Sequence, residues 1–320
     1  MTNDPNDPLP NFFVVGAPRS GTTLLYRALC NHPEVFMCPI KEPSYFSKDI
    51  DFEQLYPGLR LPDVKAFIAS GMKSQLHLAH AKEWNDYVRL FSRASKARAI
   101  GECSTTYLAS QCAAREIKSS IPDARIIILL RNPVERAFSD YLMHLNQGLM
   151  RRPFIEEALN GYADCAEWNL LGKSQYYQQV KRYFRVFDPA RVKVILHEDL
   201  QKMDRAIDGV AGLLGLSAGM VPLSAAKVNG SMTLRMPKVN RFVQRSGAKR
   251  LLTAVLPKRA MISLKRLYYS SDPVRLDPAD RAKLLELLKP DIVKLEDLIQ
   301  RDLSAWRSSP EEEDRAEHHA

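Results

Sequence analysis

Apolar residues along this chain gather in short, β-branched runs separated by polar stretches. Three runs stand out: Phe12–Val15, Arg125–Leu130 (RIIILL) and Val192–Leu196 (VKVIL). Continuous apolar runs of this length suit strands buried on both faces of a parallel sheet. Each leads through a loop into sequence with helical spacing: Leu24–Leu29, Val134–Leu145 and Leu200–Leu214. The alternation predicts an α/β fold with a central parallel β-sheet flanked by helices. Val35–Cys38 and Ala99–Gly101 read as further short strands. Residues 51–98, rich in Trp, Tyr, His and Lys, read as a mostly helical insertion, and Lys283–Leu303 as a helical C-terminal region. No internal repeat or Gly/Ser linker divides the chain. Residues 10–307 are therefore read as a single domain, with 1–9 and 308–320 as disordered tails.

Composition narrows the class. The 320 residues can bury one large core or two smaller ones. No apolar stretch approaches the ~18 residues that span a bilayer, and MTNDPNDPLPN lacks the basic and apolar regions of a secretory signal. Five cysteines show neither CxxC spacing nor an even count, so no disulfide framework or metal site is expected. The chain is read as cytoplasmic. Its net charge of +9 is uneven: Pro310–Ala320 carries −4, leaving +13 elsewhere. Between Gly209 and Ser271 there is no acidic residue, against eleven Lys and Arg from Lys227 to Arg266. Such a segment is either a solvated basic face or a seat for an anion, whether phosphate, acidic sugar, nucleic acid or acidic lipid. Within it, Val239–Leu256 reads as a basic amphipathic helix, packed on its own domain or set against an acceptor, carrier protein or membrane surface.

The chemistry begins at the first loop. In NFFVVGAPRSGTT, Gly16 and Gly21 have G-x-x-x-x-G spacing, followed by Thr22 and Thr23. Thr22 stands where a nucleotide-hydrolysing loop has lysine. A strand before and a helix after place backbone N–H groups where they bind phosphate, with Arg19, Ser20, Gly21, Thr22 and Thr23 as candidate ligands. The alternative is a tight turn without ligand. Without the lysine, cleavage of a β–γ bond is disfavoured, and a nucleotide with one phosphorus at its 5′ end fits better. A second site starts where RIIILL ends, at Arg131, the carboxyl end of a strand, where open α/β sheets bind ligands. Asn132 and Pro133 mark a helix start. Arg131 and Ser139 can jointly hold a phosphate dianion. Arg136 shares a face with Ser139 and Met143, and either joins them or pairs with a carboxylate.

In this order, GAPRSGTTLL and RNPVERAFSDY resemble the 5′-phosphosulfate loop and 3′-phosphate motif of the PAPS-dependent sulfotransferases. Lys41-Glu42-Pro43-Ser44-Tyr45-Phe46 is similar to the family's E-x-x-[FY]-F element, and Gly101–Tyr107 (GECSTTY) to its G-E-x-S-x-x-Y strand end. Ser174-Gln175-Tyr176 is similar to its G-x-Y helix. The resemblance covers about 11–199 and is nearer the heparan-sulfate and bacterial carbohydrate branch than the phenol branch. It implies a P-loop-like sulfotransferase fold that moves sulfuryl from PAPS to a sugar, polyketide or other natural-product hydroxyl and releases PAP, without a metal and without nucleic acid as partner. By carry-over, Arg19, Ser20, Gly21, Thr22 and Thr23 hold the 5′-phosphosulfate and Arg131 and Ser139 the 3′-phosphate. Glu42 aligns with the general base and Arg19 with a residue that stabilises the leaving phosphate, while Lys41 either assists in the same way or pairs with Glu42. Arg235 and Lys238 are carried over more loosely, from a cofactor-covering loop. His77, His80 and His144 are rival bases. Cys103 and Ser174 depart from the pattern, leaving open what those positions do here. Two other classes remain: a nucleotide kinase with a degraded loop, and a protein that binds PAP or a polyanion without catalysis.

Overall fold

The sequence's longest apolar runs become the centre of a five-stranded sheet. In the computed structural model, which describes residues 8–56, 59–147, 149–150, 152–160, 169–220, 233–234, 269–270 and 274–308, the strands are ordered β2-β5-β1-β6-β7. They are β1 (Phe12–Gly16), β2 (Val35–Met37), β5 (Ala99–Cys103), β6 (Arg125–Leu130) and β7 (Val192–Leu196). All four pairings are parallel. β1 is buried at every position, as its unbroken apolarity requires. Against β6 its register shifts between Val14 and Gly16, so a bulge turns the chain out of the sheet as the glycine loop begins.

Two compact units divide the chain. The first spans Met1–Asn132, Gln175–Lys227 and Asp291–Asp302 and contains the whole sheet. On one face, α1 (Thr22–Cys30) and α9 (Met203–Leu214) bury Leu25, Leu29, Ile207 and Val210 against Val14, Ile127, Leu129 and Ile195. β5 keeps Gly101 because a Cβ there would overlap the Phe12 ring and lie 2.6 Å from Met37 Sδ. α5 (Ala113–Ser120) and α8 (Tyr176–Val186) complete the regular helices around the sheet.

The insertion is mostly helical, as expected, with one short strand added. It holds α2 (Phe52–Leu55), α3 (Val64–Ala69) and α4 (Trp84–Arg89), with Asp51 and Asp63 capping the first two. It also supplies β4 (Leu76–Leu78), which pairs in parallel with β3 (Ile40–Glu42). Neither three-residue strand is long enough to show a period in sequence.

The second unit spans Pro133–Ser174, Val228–Pro290 and Leu303–Ala320. Its described elements are α6 (Pro133–Asn146), α7 (Phe154–Leu159), the two-residue strands β8 (Thr233–Leu234) and β9 (Tyr269–Ser270), and α11 (Ser304–Arg307). The C-terminal helix expected from Lys283 is α10 (Pro278–Ile299), which carries Pro290 in its interior. Most of the basic 209–271 segment, with Arg235, Lys238 and Val239–Leu256, lies outside the described residues.

Candidate active site

The glycine loop is built so that main chain faces outward from the end of β1. Gly21 takes φ +99° and precedes α1, whose Leu24 and Leu25 N–H groups close on Gly21 O at 2.9 and 3.1 Å. The first N–H groups of a helix have no intrahelical acceptor, so those of Gly21, Thr22 and Thr23 form an anion-seeking terminus. Arg19 adopts φ +68°, a left-handed conformation in which most side chains are strained. Ser20 is fully buried, and its Oγ has no hydrogen-bond partner among the described residues. A buried hydroxyl without a partner calls for an explanation, and an oxygen-rich ligand supplies one. Arg131 directly follows β6 and reaches toward this loop, with Nη1 3.5 Å from Arg19 O.

Glu42 ends β3 and is buried, with each carboxylate oxygen engaged. Lys41 Nζ donates to Oε1 at 2.6 Å and Thr105 Oγ1 to Oε2 at 2.9 Å. Burial alone would raise the carboxyl; the Lys41 ammonium, then His77 and the Thr105 hydroxyl, outweigh it and hold Glu42 below the usual carboxylate value. Glu42 correspondingly raises Lys41 despite the desolvation of its ammonium. A carboxylate oxygen accepts two hydrogen bonds, so the pair of contacts still leaves acceptor capacity for a substrate hydroxyl.

Thr105 joins the two halves of this site. Its hydroxyl holds Glu42, while its carbonyl oxygen lies 3.3 Å from where a Cβ on Gly16 would stand. The surrounding KEPSYF loop is clamped to the exit of β5 by hydroxyls. Ser44 N–H donates to Ser104 Oγ at 3.0 Å, Phe46 N–H donates to Tyr107 Oη at 3.2 Å, and Ser47 and Thr106 share a 2.6 Å bond. The two motifs are therefore one structure. Beneath the clamp, buried Glu102 accepts from Ser104 Oγ at 2.6 Å and from Tyr87 Oη. Burial pushes this carboxyl up to about 7, against the pull of those hydroxyls. Cys103 packs wholly in the core, so its departure from the motif is a matter of packing.

Of the rival histidines, His77 lies near Glu42, and His80 and His144 engage other partners. His80 stacks on Phe52 with ring centroids 3.9 Å apart, and burial draws it down to about 4. His77 lies on β4 and is lowered by burial and then by Lys41. Ala79 N–H donates to Glu42 O at 3.3 Å and Ala81 N–H to Pro43 O at 2.9 Å, so β4 runs on beside the carboxylate. A cleft of about 1030 Å³ opens in the insertion, with Phe52, Tyr56, Leu59 and His80 in its lining.

In the second unit, α6 buries Ser139 and Arg136. Arg136 takes the carboxylate reading: Nη1 pairs with Asp140 Oδ2 at 3.2 Å, Nε donates to Ser174 Oγ at 2.7 Å, and Nη2 donates to Leu170 O. Lys173 Nζ also bridges Asp140 at 2.5 Å. Against a burial effect that would raise it, Lys173 and Arg136 hold Asp140 well below the usual carboxylate range. His144 belongs to this cluster, its Nδ1 3.8 Å from Asp140 Oδ1. Ser174, the second departure, accepts from Arg136 and donates to Pro133 O at 2.8 Å, a role glycine could not fill.

Sequence reasoning missed His197. It opens the 3-10 turn after β7, and its Nδ1 lies 3.2 Å from Ser20 O. A histidine directly after a strand that ends beside the loop-bearing strands was the available signal.

Known proteins resemble this chain over much of its length. Human carbohydrate sulfotransferase 15 is 31% identical over 177 residues, 49% of this chain and 32% of that protein. The mouse bifunctional heparan sulfate N-deacetylase/N-sulfotransferase 4 is 24% identical over 222 residues, 66% of this chain and 23% of its own length. The chain thus spans a third or less of these relatives. The crystal structure of a sulfotransferase from Alicyclobacillus acidocaldarius superposes with a TM-score of 0.66 at 28% identity, covering 94% of this chain and all of that one. A sequence model described as "Sulfotransferase family" matches residues 10–216, and with that span covering most of the sheet, the glycine loop and Glu42, the chain belongs to the sulfotransferase family.

Proposed function

We propose that the protein transfers a sulfuryl group from PAPS to an acceptor hydroxyl, with PAP as the other product and Glu42 as general base. The observation that carries the reading is Thr105: its hydroxyl holds an ionised, buried carboxylate, and its carbonyl packs on Gly16, where the glycine loop leaves β1. Bound there, PAPS would supply an electrophilic sulfur on a phosphate leaving group. Arg19, Ser20, Gly21, Thr22 and Thr23 hold its 5′ end, and Arg131 and Ser139 its 3′-phosphate. Glu42 receives the acceptor's proton as the new O–S bond forms and the bond from sulfur to phosphate oxygen breaks. Lys41 and Arg19 stabilise charge on the departing phosphate. The acceptor is a hydroxyl of a carbohydrate or another natural product; the names of the human and mouse relatives support a sugar.

Calorimetry with PAP and with ATP, each with and without Mg²⁺, tests the nucleotide. Tight PAP binding indifferent to Mg²⁺ is expected, whereas Mg²⁺-dependent ATP binding would replace this reading with a kinase. Glu42→Gln should keep PAP affinity and lower turnover by about 10²–10⁴-fold, the range typical of general-base removal. Near-wild-type turnover would sink Glu42 as the base.

A further inference from the structure

The loop that would hold the 5′-phosphosulfate depends on a side chain from the far side of the sheet order. His197 Nδ1 faces Ser20 O at 3.2 Å, and since a carbonyl only accepts, Nδ1 carries the proton and donates. In a planar trans peptide the C=O and N–H point in opposite directions. A donor fixed on Ser20 O therefore aims the Gly21 N–H the other way. Gly21 lies in left-handed backbone at φ +99°. Glycine tolerates many orientations of its flanking peptides, so something other than its own sterics must select one.

We infer that His197 is a positioning residue: its Nδ1–H locks the Ser20–Gly21 peptide so that the Gly21 N–H is presented to the 5′-phosphosulfate. The inference rests on the proposed reading of the loop. Two further observations support it. A Cβ on Gly21 would lie 3.3 Å from His197 Nδ1 and would overlap Leu200 Cδ1, so the imidazole and Leu200 pack directly on the loop's main chain. Ser20 Oγ in the same loop is buried and without a hydrogen-bond partner among the described residues, the condition of a donor awaiting a ligand oxygen. The imidazole is itself held in place. Asp199 Oδ2 accepts Leu196 N–H at 2.9 Å, and Arg301 grips Asp199 at 3.0 and 3.3 Å, which fixes the turn that carries His197.

The test compares two ligands by calorimetry: adenosine 3′,5′-bisphosphate and adenosine 3′-monophosphate, which lacks the 5′ group. His197→Phe keeps a ring and removes the donor; His197→Asn keeps an N–H close to the position of Nδ1. His197→Phe should weaken the bisphosphate about five- to tenfold, the worth of one hydrogen bond, and leave the monophosphate unchanged. His197→Asn should stay within about twofold of wild type for both. Where Phe prevents folding, His197→Ala carries the same expectation. Unchanged bisphosphate affinity in a folded donor-less variant would overturn the assignment, as would equal losses for both ligands, the mark of general distortion. Failure of the wild type to bind the bisphosphate would instead bring down the reading of the loop, and the assignment with it.

Discussion

In the proposed reaction, Arg19 is a residue poor for folding and good for chemistry. At φ +68° its backbone sits where a Cβ is strained and glycine is not. Arg19→Gly removes that strain, an advantage of about 1 kcal/mol partly offset by the greater freedom of glycine in the unfolded chain. We expect Arg19→Gly to melt at or above the wild-type temperature while turnover falls by at least about tenfold, because the guanidinium is lost from the leaving phosphate. A variant that loses stability along with activity would show the conformation to be innocuous. Strain held at a functional position is a recognised pattern, and the cost here is local enough to measure at a single site.

At the scale of elements, the junction of loop and α1 is tightly constrained backbone. Gly21→Ala meets two separate obstacles, a positive φ and overlap with Leu200. Truncating the neighbour in the double variant Gly21→Ala/Leu200→Ala relieves only the second. Urea unfolding should show the single variant destabilised by about 1–3 kcal/mol. The glycine substitution should remain costly when made in a Leu200→Ala background. Full additivity would mean that Leu200 is no obstacle, and a free substitution in that background that φ is none. This junction was also where the sequence spoke most clearly. Gly16, Gly21 and the apolar run before them announced strand, loop and helix, and RIIILL-RNP did the same for β6 and α6. What remained hidden depended on partners far along the chain. β3 and β4 are three residues each and exist only by pairing with one another. His197 meets Ser20 across 177 positions, and the clamp residues meet across about 60. No local period or motif encodes such contacts. Arg136 was legible as a cation at the right place but not as the partner of Asp140, because Lys173 and Ser174 complete that cluster from another segment.

For the molecule as a whole, carboxyls fall into two opposed sets that shape its response to pH. Burial raises Glu102 to about 7 and Asp291 to about 6. Glu42, Asp49 and Asp140 are lowered by their partners. The raised pair favours the folded state most below the ordinary carboxyl values, and that share disappears as pH climbs through 6 to 7. The lowered set contributes above the ordinary values and fails as pH drops through their depressed ones. Stability should therefore peak on the acidic side of neutrality, with Glu102 alone worth about 3 kcal/mol between its limits. Thermal melts from pH 5 to 7.5 should decline in the wild type and flatten in Glu102→Gln/Asp291→Asn; an unchanged slope would place the pH dependence in other groups. Glu102 lies under the hydroxyl clamp of Ser104, Thr106 and Tyr107, which has an evolutionary corollary. The clamp grips Ser44 and Phe46 through their main-chain N–H groups and Ser44 and Ser47 through their hydroxyls, while Tyr45 packs on the Trp84 and Tyr87 rings. Change in this loop is therefore confined: a lineage that rewrites it must keep the main-chain donors, the hydroxyls and the ring contacts together if the carboxylate is to stay in register.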